Sequence, residues 1–417
     1  MTSDRPAPPA SSEPVGLWLV GARGSIGSTV ALGLMALRRG LIPPVGLATE
    51  LDPLCRLGFA AFDQLVLGGC DVRRTKVADG VRELVDEGVV SAAVAAACAA
   101  DLAELDERLC AGFFGEGDAD LSALRSATED REVARRTALA PRERIAAVRE
   151  DLDRFRSEHG LSRLVVVNVA STESPPAGDD DWQTTAGFEA ALDSGRALPA
   201  SCLYARAAFE AGAGFVNFTP SLGASIPALR EQASRQGLPH CGSDGKTGET
   251  LVKTTLAPMF ANRALRVLSW QGYNMLGNRD GAVLENPEHK RAKVVGKDEA
   301  LRSLLPNPDL HSFVGIDYVP SLGDWKTAFD LIHFEGFLGA RMNLQFTWTG
   351  SDSALAAPLI LDLVRFTERE LRLGRGGVQK HLAAYFKSPL DGSTHDFHRQ
   401  FSELQAWCDD ELAADRG

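Results

Sequence analysis

The stretch VGLWLVGARGSIG at residues 15–27 carries most of the information about the fold. Its first six residues are largely apolar, as in a strand buried inside a parallel sheet, and Gly21, Gly24 and Gly27 follow in a G-x-x-G-x-x-G turn. Ser25 to Arg39 then places apolar side chains at helical spacing. A strand, a glycine-rich turn and a helix in this order favour a dinucleotide site. The turn lets the backbone approach a pyrophosphate, and the helix N-terminus supplies N–H donors.

Outward from this unit, strand patterns alternate with helical ones. The segments predicted as further strands of the same sheet are Pro44–Thr49, Gln64–Leu67, Leu164–Val169 and Gly214–Thr219. This rhythm predicts an α/β fold with a Rossmann-type doubly wound parallel sheet. Glu50 would end the second strand, where a carboxylate accepts hydrogen bonds from the adenosine ribose and favours NAD over NADP. Arg23 acts against that preference, because its charge suits a 2′-phosphate.

The pattern changes after about Gly242. Arg341–Gly350 alternates apolar and polar residues with period two, as in an antiparallel-type sheet with one buried face, and Ala354–Leu373 follows as an amphipathic helix. We therefore predict that an α+β domain is inserted into the Rossmann domain. The predicted boundaries are a disordered tail at 1–14, the NAD-binding Rossmann domain at 15–242, the inserted catalytic and oligomerisation domain at 243–351, and a helical return at 352–417 that completes the Rossmann domain.

Composition narrows the class of protein. The net charge of −12 argues against a nucleic-acid partner, because a phosphate-binding face needs an excess of Lys and Arg. The seven cysteines show no C-x-x-C spacing, which fits a reducing compartment. The first 14 residues lack the apolar region of a signal peptide, and the most apolar stretch, Val89–Ala100, is too short to cross a bilayer. We expect a cytoplasmic protein with no membrane partner.

Three later segments carry candidate chemistry. GSDGKTGET at 242–250 lacks the first glycine of a Walker loop, and its S-x-x-K and K-T-G patterns overlap on one lysine. A turn that places Asp244 and Lys246 in a pocket and an ordinary solvated turn both stay open. YNMLGNRDG at 273–281 suits polyol recognition, because amide side chains both donate and accept hydrogen bonds. PSLGDWK at 320–326 adds an acid–lysine pair. The lysines that follow the second segment are Lys290, Lys293 and Lys297.

Six blocks together resemble motifs of the myo-inositol-1-phosphate synthase (inositol-3-phosphate synthase) family, in the same order, and the sequence is similar to its shorter prokaryotic and archaeal members. The blocks are GARGSIGST at 21–29, VVVNVASTES at 165–174, VNFTPS at 216–221, GSDGKTGET at 242–250, YNMLGNRDG at 273–281 and LGDWK at 322–326. The resemblance implies a Rossmann domain built from both chain ends, an inserted catalytic and tetramerisation domain, tightly held NAD and a homotetramer.

The reaction that the resemblance implies makes a carbocycle from glucose 6-phosphate without net redox change. The C5 hydroxyl is oxidised, a proton leaves C6, the enolate attacks C1 in an intramolecular aldol reaction, and the C5 ketone is reduced again. Cations are needed for the phosphate and for the developing enolate or alkoxide. The product is a myo-inositol phosphate, and the enzyme class is that of isomerases or intramolecular lyases.

The site residues are carried over by motif match. The residues expected to be catalytic are Lys246, Lys293, Lys326, Asp244 and Asp324. Lys246 is expected at the C5 oxygen, Lys293 and Lys326 at the phosphate or the enolate, and the two acids beside the lysines. The expected substrate-binding residues are Asn274, Asn278, Asp280, Lys253 and Lys290. Asn278 and Asp280 also suit a bound monovalent or divalent cation. The expected cofactor contacts are Gly21, Ala22, Arg23, Gly24, Ser25, Ile26, Gly27, Glu50, Asn168, Ser171, Thr172, Asn217, Thr219 and Asp244.

Two departures from the family pattern keep alternatives open. Ser243 stands where the family has the first of two acids, and Leu251 stands where many members have a lysine. A relative that closes a five-membered ring from fructose 6-phosphate is therefore an alternative. A plain NAD-dependent dehydrogenase and a non-enzymatic NAD-binding scaffold are two others, although a scaffold has no reason to keep lysines within their motifs.

Overall fold

The computed structural model describes residues 13–115, 130–174, 180–277, 301–305, 307–392 and 394–414. The strands are β1 (Val15–Val20), β2 (Leu65–Asp71), β3 (Leu109–Ala111), β4 (Arg163–Asn168), β5 (Gly214–Asn217), β6 (Pro239–Gly242), β7 (Arg266–Leu276), β8 (His311–Tyr318), β9 (Trp325–Glu335), β10 (Arg341–Ser351) and β11 (Gly377–Val378). The α-helices are α1 (Ser25–Arg38), α2 (Val77–Asp86), α3 (Ala92–Ala97), α4 (Ala99–Arg108), α5 (Arg131–Thr137), α6 (Pro141–Glu158), α7 (Thr185–Ser194), α8 (Ala200–Glu210), α9 (Pro227–Gln236), α10 (Gly248–Asn262), α11 (Asp352–Arg372) and α12 (Phe397–Ala414).

The first sheet is parallel, with strand order β11-β6-β5-β4-β1-β2-β3. All six residues of β1 are buried, because helices cover both faces of the sheet. Leu17 and Leu19 face one apolar core together with Val30 of α1, whereas Trp18 and Val20 face a second core on the opposite side. The Rossmann-type fold predicted from the sequence is thereby confirmed.

Both ends of the described chain contribute to this sheet. Helix α11 packs against α1 and against β4 and β5, and β11 adds a final parallel strand beside β6. The C-terminal segment, whose sequence is polar and poorly periodic, forms α12, which packs against the 3₁₀ turn at Lys380–Tyr385. Within the described ranges, none of the helices combines the length and the apolar composition that a bilayer-spanning segment requires.

The second sheet is mixed, with strand order β10-β9-β7-β8. Strand β7 runs parallel to β8 and antiparallel to β9, which pairs antiparallel with β10. Trp270 and Ile332 pack with Phe260 of α10 in a small apolar core on one face. On the other face, Tyr273 and Phe329 are register partners and both are exposed. The outer face is therefore less polar than the alternation in β10 alone predicts.

The prediction of a strand at Pro44–Thr49 is wrong. This segment is a loop that ends in a 3₁₀ turn at Ala48–Glu50, and the strand beside β1 is β2. The backbone N–H groups of Ala48 and Thr49 donate to the carboxylate of Asp362 in α11, at 2.7 and 3.1 Å. The Asp362 side chain, which lies far along the sequence, thus accepts the hydrogen bonds of these two N–H groups. A neighbouring strand is therefore not required to satisfy them.

Candidate functional site

A cleft runs along the carboxyl ends of the parallel strands, where ligands of such sheets bind. Val20 at the end of β1, Asp71 at the end of β2 and Asn168 at the end of β4 line its first part. Strand β1 lies between β2 on one side and β4 on the other. This part of the cleft therefore lies at the point where the strand order reverses. Its far part reaches Asp244 in the loop after β6 and Asp324 just before β9.

The N-terminus of α1 opens into the first part of the cleft. Gly24, Ser25 and Ile26 line it, and no side chain caps the helix. The first helical hydrogen bond is donated by the Ser28 N–H to the Gly24 carbonyl, at 2.8 Å. The Ser25, Ile26 and Gly27 amides before it are therefore the unpaired donors that every helix start carries, and the helix dipole adds positive potential there. These residues fit a dinucleotide pyrophosphate.

Asp71 occupies the position at the end of the second sheet strand that the sequence analysis assigns to Glu50. Its two carboxylate oxygens accept from the backbone N–H groups of Arg23 and Arg73, at 2.7 and 2.8 Å, and its side chain lines the cleft. Glu50 instead lies in the 3₁₀ turn and pairs with Arg365 at 2.5 Å. Glu50 therefore does not end a strand of the sheet, and Asp71 is the acid at the end of the strand beside β1.

The other predicted cofactor contacts divide into two groups. Those that line the cleft are Gly21, Gly24, Ser25, Ile26, Asn168, Ser171, Thr172, Thr219 and Asp244. Those that are not among the lining residues are Ala22, Arg23, Gly27 and Asn217. Asn217 shapes the wall, because its side-chain oxygen accepts from the Thr219 hydroxyl at 2.8 Å and its amide donates to the Ser221 carbonyl at 2.5 Å. The Arg23 guanidinium donates to the Arg73 carbonyl at 2.7 Å.

Lys387 is a cleft residue that the sequence analysis missed. Its Nζ donates to Oδ1 of Asp244 at 2.8 Å, and both side chains line the cleft. The pair is fixed by the backbone, since the Lys387 N–H donates to the Asp244 carbonyl at 2.7 Å. Asp244 itself has a left-handed backbone with φ of 59°. Lys387 begins the short sequence KSP at 387–389, and neither motif spacing nor periodicity around it indicates that its side chain reaches the cleft.

Asp324 and Asp352 line the far end of the cleft, and Lys326, which is not among the lining residues, pairs with Asp352. Asp324 is 3% exposed, and its Oδ2 accepts from the hydroxyls of Ser351 and Ser353, the latter at 2.7 Å. Burial raises the pKa of Asp324 above its ordinary value. The Nζ of Lys326 lies 3.7 Å from Oδ2 of Asp352, whose side chain lines the cleft beside Asp324.

Lys246 does not line the cleft, in contrast to its predicted place at the C5 oxygen. The backbone of this segment is extended, because Gly245 bridges Phe386 and the Lys246 N–H donates to the Tyr385 carbonyl. Neighbouring residues of an extended segment face opposite ways, and the Lys246 side chain faces α12 rather than the cleft. The Lys246 Nζ donates to Gln400 of α12, and burial lowers its pKa to about 8.

Lys253 and Asn274 are also buried outside the cleft. The Lys253 Nζ lies 2.6 Å from Glu249 and 3.5 Å from Asp330, between α10 and the second sheet. Burial raises the pKa of Asp330 to about 6, and the adjacent Lys253 opposes that rise. Asn274 is 1% exposed on β7. The remaining predicted site residues, Asn278, Asp280, Lys290 and Lys293, fall outside the described residues.

The cation site stays a prediction. Across the described ranges, no group of three or more His, Cys, Asp or Glu side chains is arranged to hold a metal ion. The predicted pair of Asn278 and Asp280 belongs to residues 278–300, which the structure does not describe.

Comparison with known proteins agrees with this geometry. A family model for NAD-binding proteins, described as myo-inositol-1-phosphate synthase, matches residues 54–408. Inositol-3-phosphate synthase 1 of Bacteroides thetaiotaomicron is 31% identical, over 93% of this chain and 91% of the relative. The fold is similar to that of inositol-3-phosphate synthase from Caenorhabditis elegans, with a TM-score of 0.81 at 22% identity, covering 96% of this chain and 86% of that one.

A second solved structure, a myo-inositol-1-phosphate synthase-related protein from Thermotoga maritima, has a TM-score of 0.76 at 23% identity and covers 95% of this chain and 99% of its own. At these identities the structural likeness establishes the fold, whereas the family assignment rests on the sequence matches. The chain therefore belongs to the myo-inositol-1-phosphate synthase family, whose members are NAD-binding enzymes of the isomerase class.

Proposed function

We propose that this protein converts glucose 6-phosphate into a myo-inositol phosphate, with NAD consumed and regenerated in each turnover. The observation that carries the proposal is the continuity of the cleft. It joins the N-terminus of α1 and Asp71 to the Lys387–Asp244 ion pair and to Asp352, which in turn pairs with Lys326. A dinucleotide and a sugar phosphate would lie end to end in this space.

The cofactor end supports NAD. The uncapped amides of α1 would bind the pyrophosphate, and the Asp71 carboxylate would accept from the ribose hydroxyls. NAD bound here would supply a hydride acceptor for C5 and later return the hydride. The protein's part is to orient the two molecules and exclude water around them.

Lys387 is the residue that we assign to the C5 oxygen. A proton must leave this oxygen during oxidation and return to it during reduction. The neutral amine of Lys387 would accept this proton in the cleft, hold it as the ammonium ion and give it back when the C5 ketone is reduced. Asp244 at 2.8 Å stabilises the ammonium form and fixes the direction of its N–H bonds. This assignment replaces Lys246, whose side chain points to α12.

Asp324 and Lys326 are assigned to the sugar carbons and the phosphate. Among the described residues, Oδ1 of Asp324 has no hydrogen-bond partner, whereas Oδ2 is held by two serines. The free oxygen would accept from a substrate hydroxyl. Lys326 would stabilise the enolate or bind the phosphate, as its motif predicts, with Lys293 and Lys290 of residues 278–300 as the further predicted cations.

The outer face of the second sheet supports the predicted homotetramer. Tyr273 and Phe313 on this face have ring centroids 5.3 Å apart and are 45% and 44% exposed, and Phe329 on the neighbouring strand is 38% exposed. Contiguous exposed aromatic side chains mark protein–protein contacts more often than they mark solvated surface. We propose that a second copy of the chain covers this face.

Incubation with substoichiometric NAD tests the proposal. With ¹³C-labelled glucose 6-phosphate in large excess, ³¹P and ¹³C NMR should show a cyclic inositol phosphate after many turnovers, with no net NADH absorbance at 340 nm. Fructose 6-phosphate is run in parallel. A five-membered cyclitol phosphate from fructose 6-phosphate, with glucose 6-phosphate inert, refutes the substrate assignment. Turnover that stops after one equivalent of NADH identifies a plain dehydrogenase instead.

A further inference from the structure

Glu87 connects the nucleotide-binding part of the chain to the turn that carries Asp324. It follows α2 directly as the C-terminal capping residue. Its Oε2 accepts from the Asp324 backbone N–H at 2.8 Å, and its own carbonyl oxygen accepts from the Trp325 indole N–H at 2.8 Å. One residue thus holds two consecutive positions of the turn through two different groups.

The position of this carboxylate is unfavourable for the helix itself. The C-terminal end of a helix carries partial negative charge, so that a basic residue is preferred there and an acid is destabilising. The last turn of α2 nevertheless holds Asp86 before Glu87 and contains no basic residue. The hydrogen bond from the Asp324 backbone N–H compensates Glu87 for this unfavourable position. A carboxylate accepts such a hydrogen bond more strongly than a neutral group does.

The turn is shaped to receive this carboxylate. Gly323 has φ of 59° and ψ of −133°, a conformation that L-residues with side chains rarely adopt. A Cβ atom at this position would lie 2.5 Å from both Cδ and Oε1 of Glu87. The glycine therefore satisfies the backbone of the turn and leaves room for the carboxylate.

We propose that Glu87 is a positioning residue for the reaction, because it fixes the main chain of Asp324 while Ser351 and Ser353 fix the carboxylate. The inference rests on the proposed function, in which Asp324 binds the substrate. One anchor on the main chain and one on the carboxylate of Asp324 together define where its free oxygen points. Loss of the main-chain anchor lets the turn move away from the cleft, which lowers turnover without removing any group that contacts substrate or NAD.

Three variants isolate this contact. Glu87→Ala removes the acceptor, Glu87→Gln keeps an acceptor oxygen without the charge, and Asp86→Ala removes a carboxylate from the same helix end. Within the described residues, Asp86 has no hydrogen bond or ion pair with the turn. For each variant, kcat, KM for the sugar phosphate and Kd for NAD are measured. Incorporated 5-fluorotryptophan gives a ¹⁹F resonance for Trp325, which Trp325→Phe assigns.

The expected result for Glu87→Ala is a kcat lowered about tenfold or more, since a displacement of about 1 Å at a reacting group costs up to about a hundredfold. KM and NAD affinity should change less than about twofold, and the Trp325 resonance should shift. Glu87→Gln should restore most of the turnover, and Asp86→Ala should match the wild type. Equal effects of Glu87→Ala and Asp86→Ala, or an unmoved Trp325 resonance, overturn the inference. A wild type that fails to cyclise any hexose phosphate, with the resonance still shifting in Glu87→Ala, refutes the proposed function and leaves the contact established.

Discussion

Lys246 and Lys387 give the sharpest test of the site, because the sequence motif and our proposed function assign the C5 oxygen to different lysines. We expect Lys387→Met to lower kcat by about a hundredfold to a thousandfold, the usual loss for a proton-transfer or oxyanion group. Lys246→Met should keep kcat within a few-fold of the wild type. Methionine is chosen in both cases because it preserves most of the side-chain volume and removes the charge.

The effect expected for Lys246→Met is on stability. Burial lowers the pKa of Lys246 from its ordinary 10.5 to about 8, which means that its charged form costs the folded state about 3 kcal/mol near neutral pH. Against this stands the lost hydrogen bond to Gln400, about 1–3 kcal/mol. At pH 7 the free energy of unfolding should therefore rise by about 0–2 kcal/mol.

The pH dependence separates this effect from other contributions. Between pH 8 and 10.5 the unfolded lysine keeps its proton while the folded one has lost it, so the wild type becomes more stable as pH rises. Lys246→Met lacks this gain, which amounts to about 2 kcal/mol at pH 9.5 and about 3 kcal/mol at pH 10.5. Urea unfolding at pH 7 and pH 9.5 measures the free energy of unfolding of the wild type and of Lys246→Met. The difference between the two proteins is compared, because the contribution of the cysteines is the same in both and cancels. A folded Lys246→Met with turnover reduced a hundredfold, beside an active Lys387→Met, would show that the sequence-based assignment is right and ours is wrong.

Three further expectations concern other parts of the molecule. Asp71→Ala should weaken NAD binding about tenfold or more and reduce the preference for NAD over NADP, whereas Glu50→Gln should leave both unchanged. Fluorescence titration with the two cofactors measures this, and a larger effect of Glu50→Gln than of Asp71→Ala would contradict the placement of the ribose at Asp71. Gly245→Ala should lower the free energy of unfolding by about 1–3 kcal/mol in urea, because a Cβ would lie 2.1 Å from the Phe218 ring; an unchanged midpoint would mean that the loop adapts freely. Phe329→Asp should reduce the mass measured by light scattering to that of a smaller assembly, and an unchanged mass would exclude the outer face of the second sheet as the interface.

Local signals in the sequence were sufficient for the part of the fold that holds the cofactor. The apolar run of β1, the glycine turn and the spacing in α1 are all contained within residues 15–38, and the structure has each of them. The strand predicted at Gln64–Leu67 is also present, as the start of β2. A buried parallel strand needs only a short apolar run, which the sequence displays directly.

The differences between the sequence-based expectations and the structure come from contacts between residues far apart in the chain. The sequence around Ala48 and Thr49 has the pattern of a strand, but their N–H groups donate to Asp362, which lies more than 300 positions away. Lys387 meets Asp244 across 143 positions, and no spacing rule connects them. Lys246 was assigned by its motif, which gives the residue type but not the direction in which an extended segment turns its side chain.

The return of the chain to the first sheet has a consequence for synthesis on the ribosome. The cleft is lined by Asp71 and Asn168 from the early part of the chain, and also by Asp352, Ser353 and Lys387 from its last fifth. A nascent chain that has emerged only as far as β10 possesses the glycine turn but not the wall of α11 or the Lys387–Asp244 pair. The complete cleft therefore forms only after nearly the whole polypeptide has emerged. A molecule that has the complete cleft also has the Lys387–Asp244 pair in place.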